Sequence, residues 1–84
     1  MTYTVIWLPD AMTAYRRLRA RDHSGAHDIA EAVRALAKEP RPTSSAPLGD
    51  SPFRRLRLSS YRVLYEVDEQ SEAVYVISVG RTPE

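Results

Sequence analysis

The chain is 84 residues long, carries a formal net charge of +1 and contains no cysteine. That length predicts one small domain over residues 1–84, with a modest core whose stability a partner can raise. The absence of thiols excludes a disulfide framework, a thiolate metal site and a cysteine nucleophile and fits a reducing, cytoplasmic setting; no apolar run of about 18 residues offers a membrane span, and MTYTVIWLPDAM has neither the charged nor the apolar region of a signal peptide.

Thr2 to Leu8 is β-branched and aromatic and reads as a strand, with Trp7 in the core. Pro9 and Asp10 mark a helix start, because proline fits the first turn and an aspartate suits the positive end of the helix dipole. Ala11, Tyr15 and Leu18 then recur at helical spacing, with Arg16, Arg17 and Arg19 on the opposite face. DHSGAH, around Asp22 to His27, breaks this helix and begins another. Ala26, Ile29, Val33 and Leu36 form the apolar stripe of the second helix, which is expected to end near Glu39 because Pro40 disfavours helix in the residue before it. Pro40 to Pro52 reads as a loop.

After that loop the period changes from helical to alternating. Leu56 and Leu58 share one face of the strand Phe53 to Leu58, and Phe53, Arg55 and Arg57 share the other. Arg54 falls on the Leu56 side, at the start of the strand. Ser59 and Ser60 supply a tight turn. In YRVLYEV, Tyr61, Val63, Tyr65 and Val67 point one way, and Arg62, Leu64 and Glu66 the other. DEQSE is a polar connection, and AVYVISV (Ala73 to Val79) is apolar on both faces, as a central strand would be. The pattern predicts an α+β domain of order β-α-α-β-β-β, a helical hairpin on one face of a small antiparallel sheet.

The charge is unevenly placed. Of the twelve basic residues only Lys38 is a lysine. Arg16, Arg17, Arg19 and Arg21 crowd the first helix, and Arg54, Arg55, Arg57 and Arg62 crowd the first hairpin. Arginine bias has a genomic explanation in GC-rich coding, but the planar guanidinium also suits phosphate in a way an ammonium does not. The arginines of the first helix fit a solvated face, an acidic partner segment or nucleic acid. Arg55, Arg57 and Arg62 fall on the face away from the helices, with Arg81 nearby at the end of the adjacent strand. That face reads either as a solvated or partner-paired surface or as a phosphate-binding groove. His23 and His27 are four apart, but no acid or thiol at ligand spacing accompanies them, so they read as a surface pair at a helix start, and no metal site is expected.

The order of these segments, with RLRLSSYRVLYEV followed by VYVISVG and a basic residue as the specific part, resembles the RelE/ParE toxin superfamily of type II toxin–antitoxin systems along nearly the whole chain. The resemblance implies the RelE-like fold, two helices on one side of a sheet whose other side is concave and basic. RelE-type members cleave mRNA in the ribosomal A site, and ParE-type members inhibit DNA gyrase on the same fold, so the activity rests on the site and not on the fold. In both, a cognate antitoxin wraps the toxin with an otherwise disordered segment. Carried over position by position, Arg55 and Arg57 match residues that hold the RNA backbone, and Arg62 and Arg81 match basic catalytic residues. The family continues past this point with a basic, aromatic tail that often holds a proton-transferring tyrosine; here the sequence reads RTPE.

Cleavage by a 2′-hydroxyl needs a base, an acid for the leaving oxygen, and positive charge at the crowded phosphorus. Arginine serves the third need and is a poor base. Glu66, the one carboxylate in YRVLYEV, is the candidate general base, or else a surface charge that neutralises Arg55 or Arg62. Tyr61, Tyr65 and Tyr75 read as core or sheet-edge aromatics. The expectation is a cytoplasmic toxin, a metal-independent and cofactor-free mRNA endoribonuclease that acts on the ribosome, arrests growth by inhibiting translation, and forms a hetero-oligomer with an antitoxin whose acidic or amphipathic segment wraps it. The alternative is a ParE-like gyrase inhibitor, or a member of the fold that binds without catalysing.

Overall fold

A computed structural model describes residues 2–82; Pro83 and Glu84, the end of the RTPE segment, lie outside the described residues. Strand β1 (Thr4–Trp7) leads through Leu8 into helix α1 (Pro9–Arg21), with Pro9 in the first turn, Asp10 near the positive end of the dipole, and Arg19 and Arg21 near the negative end. One residue then ends this helix and starts the next. Asp22 leaves helical geometry (φ −141°, ψ 82°), and its carboxylate accepts the Gly25 N–H at 2.9 Å, capping helix α2 (His23–Ala35). Helix α2 stops at Ala35, before the expected Glu39, because the N–H groups of Leu36, Ala37 and Lys38 bond to carbonyls only three residues back. This tightened turn brings the chain to Pro40, which has no N–H to extend the helix.

The proline-rich segment that reads as loop contains a short strand, β2 (Ser45–Pro47). It pairs with β3 (Phe53–Leu58) at the sheet edge, where a proline costs no ladder bond. Arg54 fastens it there, donating from Nε to Ser45 Oγ (3.0 Å) and from the guanidinium to the Ser45 carbonyl (3.3 Å). Strand β3 turns at Ser59, which takes the positive φ of 48° that the two-residue connection needs, into β4 (Tyr61–Asp68), and the sheet closes with β5 (Ala73–Arg81). The sheet order is β1-β5-β4-β3-β2. β2 to β5 pair antiparallel as the alternation predicts, and β1 adds parallel to β5, which makes β5 an interior strand as its two-sided apolarity requires.

Both helices lie over the face that carries Leu56, Val63, Tyr65, Val67, Val74 and Val76, and they bury Ala11, Leu18, Ile29 and Val33 against it. Each fully buried aliphatic side chain contributes about 1.5–3 kcal/mol by leaving water. Trp7 closes this layer against Tyr15, with ring centroids 5.1 Å apart. The buried Tyr65 hydroxyl donates to the Pro40 carbonyl at 2.7 Å and so ties the end of the helical hairpin to the centre of the sheet.

Candidate nucleic-acid interface

Residues opposite one another in a β-ladder share a face, so the register fixes what the open side of the sheet presents. Arg57 stands opposite Arg62, Arg55 opposite Leu64, and Phe53 opposite Glu66; on the other flank of β4, Arg62 faces Gly80, Leu64 faces Ser78, and Glu66 faces Tyr75. The open face therefore has two ends. At one, Arg57 and Arg62 stand beside Gly80, with Arg55 in the middle row opposite Leu64. At the other, Glu66 lies between Phe53 and Tyr75, with Ile6 beyond Tyr75, and both Phe53 and Ile6 are exposed.

The basic end is a like-charge pair with nothing to offset it. Side chains directly opposite in a ladder sit about 5 Å apart at Cβ, where equal charges are destabilising. Among the described residues, no carboxylate lies within 4.0 Å of Arg55, Arg57 or Arg62; the ion pairs are His27–Glu31, Arg34–Glu31 and Arg41–Glu69, all elsewhere. Glu66 does not neutralise Arg62 or Arg55. Its backbone lies four residues along the strand from that of Arg62, about 13 Å at the rise of an extended chain, and it is diagonal to Arg55, with which it makes no ion pair. Gly80 leaves the space over Arg62 open, since a β-carbon built there meets nothing within 4 Å.

Arg81 is not on this face. Its partner in the ladder is Tyr61, on the helix side. The cause is a bulge: Tyr65 pairs with Val76 but Leu64 with Ser78, so Ile77 is an extra residue in β5. Uninterrupted alternation from Tyr75 would bring Arg81 to the open face; the extra residue sends it to the other. There Arg81 meets the junction of the two hairpins. The Tyr61 hydroxyl donates to Asp22 Oδ2 at 2.5 Å. The Asp22 carboxyl is held below its usual value first by this hydroxyl, then by the Gly25 N–H, with the Arg81 charge adding to both. Tyr61 is pushed above its usual value chiefly by donating to Asp22, and Arg81 partly opposes that shift.

The structure brings Arg55, Arg57 and Arg62 together, places Glu66 at the far end of the same face, and puts Arg81 behind it. Tyr61 and Tyr65 are buried and bonded to protein groups, and Tyr75 is half-buried. Sequence reasoning missed Gly80 as the floor beside Arg62 and Asp22 as the link between hairpins; an aspartate three residues before a glycine at a helix start was the available signal for the second. His27 stands 3.9 Å from Glu31, and among the described residues no group of three or more His, Asp or Glu side chains is placed to hold a metal ion. No helix of the described residues is long and apolar enough to cross a membrane.

A small α+β domain with an open, arginine-bearing sheet face defines the RelE/ParE class of fold. The sequence profile of the family described as "ParE toxin of type II toxin-antitoxin system, parDE" matches residues 5–84. The chain belongs to this family. No curated protein sequence matches it. Among solved structures it is similar to a chain of the RelBE2 toxin–antitoxin complex of Mycobacterium tuberculosis, with 25% identity and a TM-score of 0.79 over 98% of this chain and 100% of that one. The isolated E. coli RelE toxin has a TM-score of 0.83 at 23% identity, covering 98% of this chain and 86% of that one. A YoeB/ParE toxin from Agrobacterium tumefaciens has a TM-score of 0.80 at 19% identity, covering 95% and 99%. The last two establish the fold alone.

Proposed function

We propose that this protein is the toxin of a type II toxin–antitoxin pair and that it inhibits translation in the cytoplasm by cleaving ribosome-bound mRNA. The observation that carries this reading is the uncompensated Arg57–Arg62 pair beside Gly80. A solvated face has no need of two opposed cations, and a phosphodiester offers them two oxygens in the planar geometry that guanidinium groups match. Arg55 and Arg57 hold the backbone, and Arg62 stabilises the charge that builds on the phosphorus. On this reading the chain's contribution is charge and position. The backbone of Glu66 is about 13 Å along the strand from that of Arg62, so Glu66 as a general base requires both long side chains to reach towards one phosphodiester. The solved RelBE2 complex holds toxin with antitoxin. A cognate antitoxin silences this chain in the same manner, placing acids on the arginines and apolar residues on Phe53 and Ile6 as its segment folds.

Cleavage of mRNA by the isolated full-length chain, with and without ribosomes, tests the reading. Arg62→Ala is expected to lower the rate roughly 100-fold or more, and Glu66→Gln to change it less than about tenfold, below the usual worth of a general base. A wild type that leaves mRNA intact while still arresting growth defeats it. A second reading, gyrase inhibition by binding alone, is favoured by the separation of Glu66 from Arg62 along β4 and by the ParE family match. DNA supercoiling by gyrase in the presence of the protein separates the two.

A further inference from the structure

Arg17 and Arg21 of α1 meet the displaced Arg81, which also lies beside the Asp22–Tyr61 link. Arg17 and Arg21 are four residues apart, so they project from one face of the helix. With Arg81, Tyr61 and Gly80 they line one recess of about 220 Å³ at the edge of β5. The recess exists because β1 ends at Trp7, opposite Val76; residues 77–81 of β5 run on with no strand beside them on that side. Three arginine side chains thus border one opening. The helix dipole accounts for a cation in the last turn, which covers Arg21. It does not account for Arg17, a turn earlier, or for Arg81 arriving from the sheet. Among the described residues none of the three has a carboxylate within 4.0 Å. Asp22 is the nearby acid, and its oxygens are already engaged by the Tyr61 hydroxyl and the Gly25 N–H.

Gly80 belongs to both surfaces. On the open face it lies opposite Arg62, and at the strand edge it lines the recess. Having no side chain, it leaves the crossing between them clear. We propose that Arg17, Arg21 and Arg81 form a second phosphate-binding site, and that a single-stranded RNA backbone runs from Arg57 and Arg62 across Gly80 into it. The inference rests on the reading of the protein as an RNA-directed toxin. A regularly charged, flexible polyanion suits two arginine clusters on opposite sides of a strand edge. An acidic helix would need a continuous apolar track beside the charges, and the recess offers only Ala14 and Val79 besides the buried Leu18 and Tyr61.

The test measures binding of labelled single-stranded RNAs of about 12 and about 4 nucleotides to the isolated full-length chain by fluorescence anisotropy, across a salt series. Wild type is compared with the exposed double variant Arg17→Gln/Arg21→Gln and with Arg62→Ala, each checked for folding by circular dichroism. Losing two phosphate contacts is expected to lower the log–log salt slope by about 1.4, which is roughly 25-fold in affinity near 0.1 M salt. The loss should fall on the longer RNA and spare the shorter one, while Arg62→Ala weakens both. If the double variant binds the longer RNA as wild type does and Arg62→Ala still weakens binding, the second site is wrong and the RNA reading stands. If Arg62→Ala has no effect on either RNA, the RNA reading itself fails and the second site with it. If the double variant loses only affinity for an acidic antitoxin peptide, the recess serves the antitoxin and the proposal is overturned.

Discussion

Gly25→Ala is the substitution on which helix propensity and local packing disagree in sign. Gly25 lies in the first turn of α2, where replacing glycine by alanine normally stabilises a helix by about 0.5–1 kcal/mol. A β-carbon built on Gly25 would lie 2.5 Å from Asp22 Oδ2 and 2.7 Å from Tyr61 Cε2. Both contacts are impossible as they stand. If Asp22 swings away, α2 loses its cap, about 1 kcal/mol, and Tyr61 loses its acceptor. If the Tyr61 ring moves instead, an almost fully buried aromatic is repacked, at about 1–3 kcal/mol for an overpacked site. Set against the propensity gain, the net effect is destabilisation by up to about 2.5 kcal/mol. An unfolding entropy of about 2.1 cal/mol/K per residue over 84 residues turns this into a fall in Tm of up to roughly 14 °C. Thermal unfolding followed by circular dichroism reads it directly. A Tm equal to or above that of the wild type would refute the steric argument and show that the Asp22–Tyr61 link is not a constraint.

Gly80→Ala is the contrasting glycine: its β-carbon meets nothing within 4 Å, so Tm should hold or rise slightly, while affinity for single-stranded RNA falls because the methyl group occupies the crossing beside Arg62. Tyr65→Phe removes a hydroxyl that bonds the Pro40 carbonyl in the core and should cost about 1–3 kcal/mol in urea unfolding, since it strands a buried acceptor. The Asp22–Tyr61 link should set limits on stability at both ends of the pH scale. The Asp22 carboxyl is lowered by folding, so its contribution is present above about pH 4 and is lost as pH falls through the depressed value. Tyr61 is raised, so its contribution is present below about pH 10 and is lost as pH climbs through the raised value. Tm profiles of wild type and Tyr61→Phe should therefore differ in the alkaline limb, where the variant has no phenol to ionise.

Most of the fold was legible because its signals were local. The 3.6-residue stripe of Ala26, Ile29, Val33 and Leu36 and the alternation of Leu56, Val63, Tyr65 and Val67 each follow from one element burying one face. Strand β2 escaped notice because Ser45–Pro47 has no hydrophobic pattern of its own; it is held by its ladder to β3 and by Arg54 reaching across to Ser45. The site divided along the same line. Arg55, Arg57 and Arg62 could be grouped from alternation, since β3 and β4 keep an unbroken register across their hairpin. The reach of Glu66 could not be judged by face alone, because sharing a face says nothing about separation along the strand.

Arg81 shows why the remainder could not be read from periodicity. AVYVISV is apolar on both faces, so no polar position marks which way any one of its residues points. A bulge in such a strand leaves no trace in the hydrophobic pattern, yet it reverses every side chain beyond it. The extra residue Ile77 does this four residues before Arg81, the basic end of β5. It changes what that end can do. Without the bulge, a fourth arginine would join the three on the open face and deepen an already uncompensated charge. With it, the fourth stands behind Gly80, next to the Asp22–Tyr61 link and the arginines of α1, and the positive surface continues around the edge of the sheet instead of ending there.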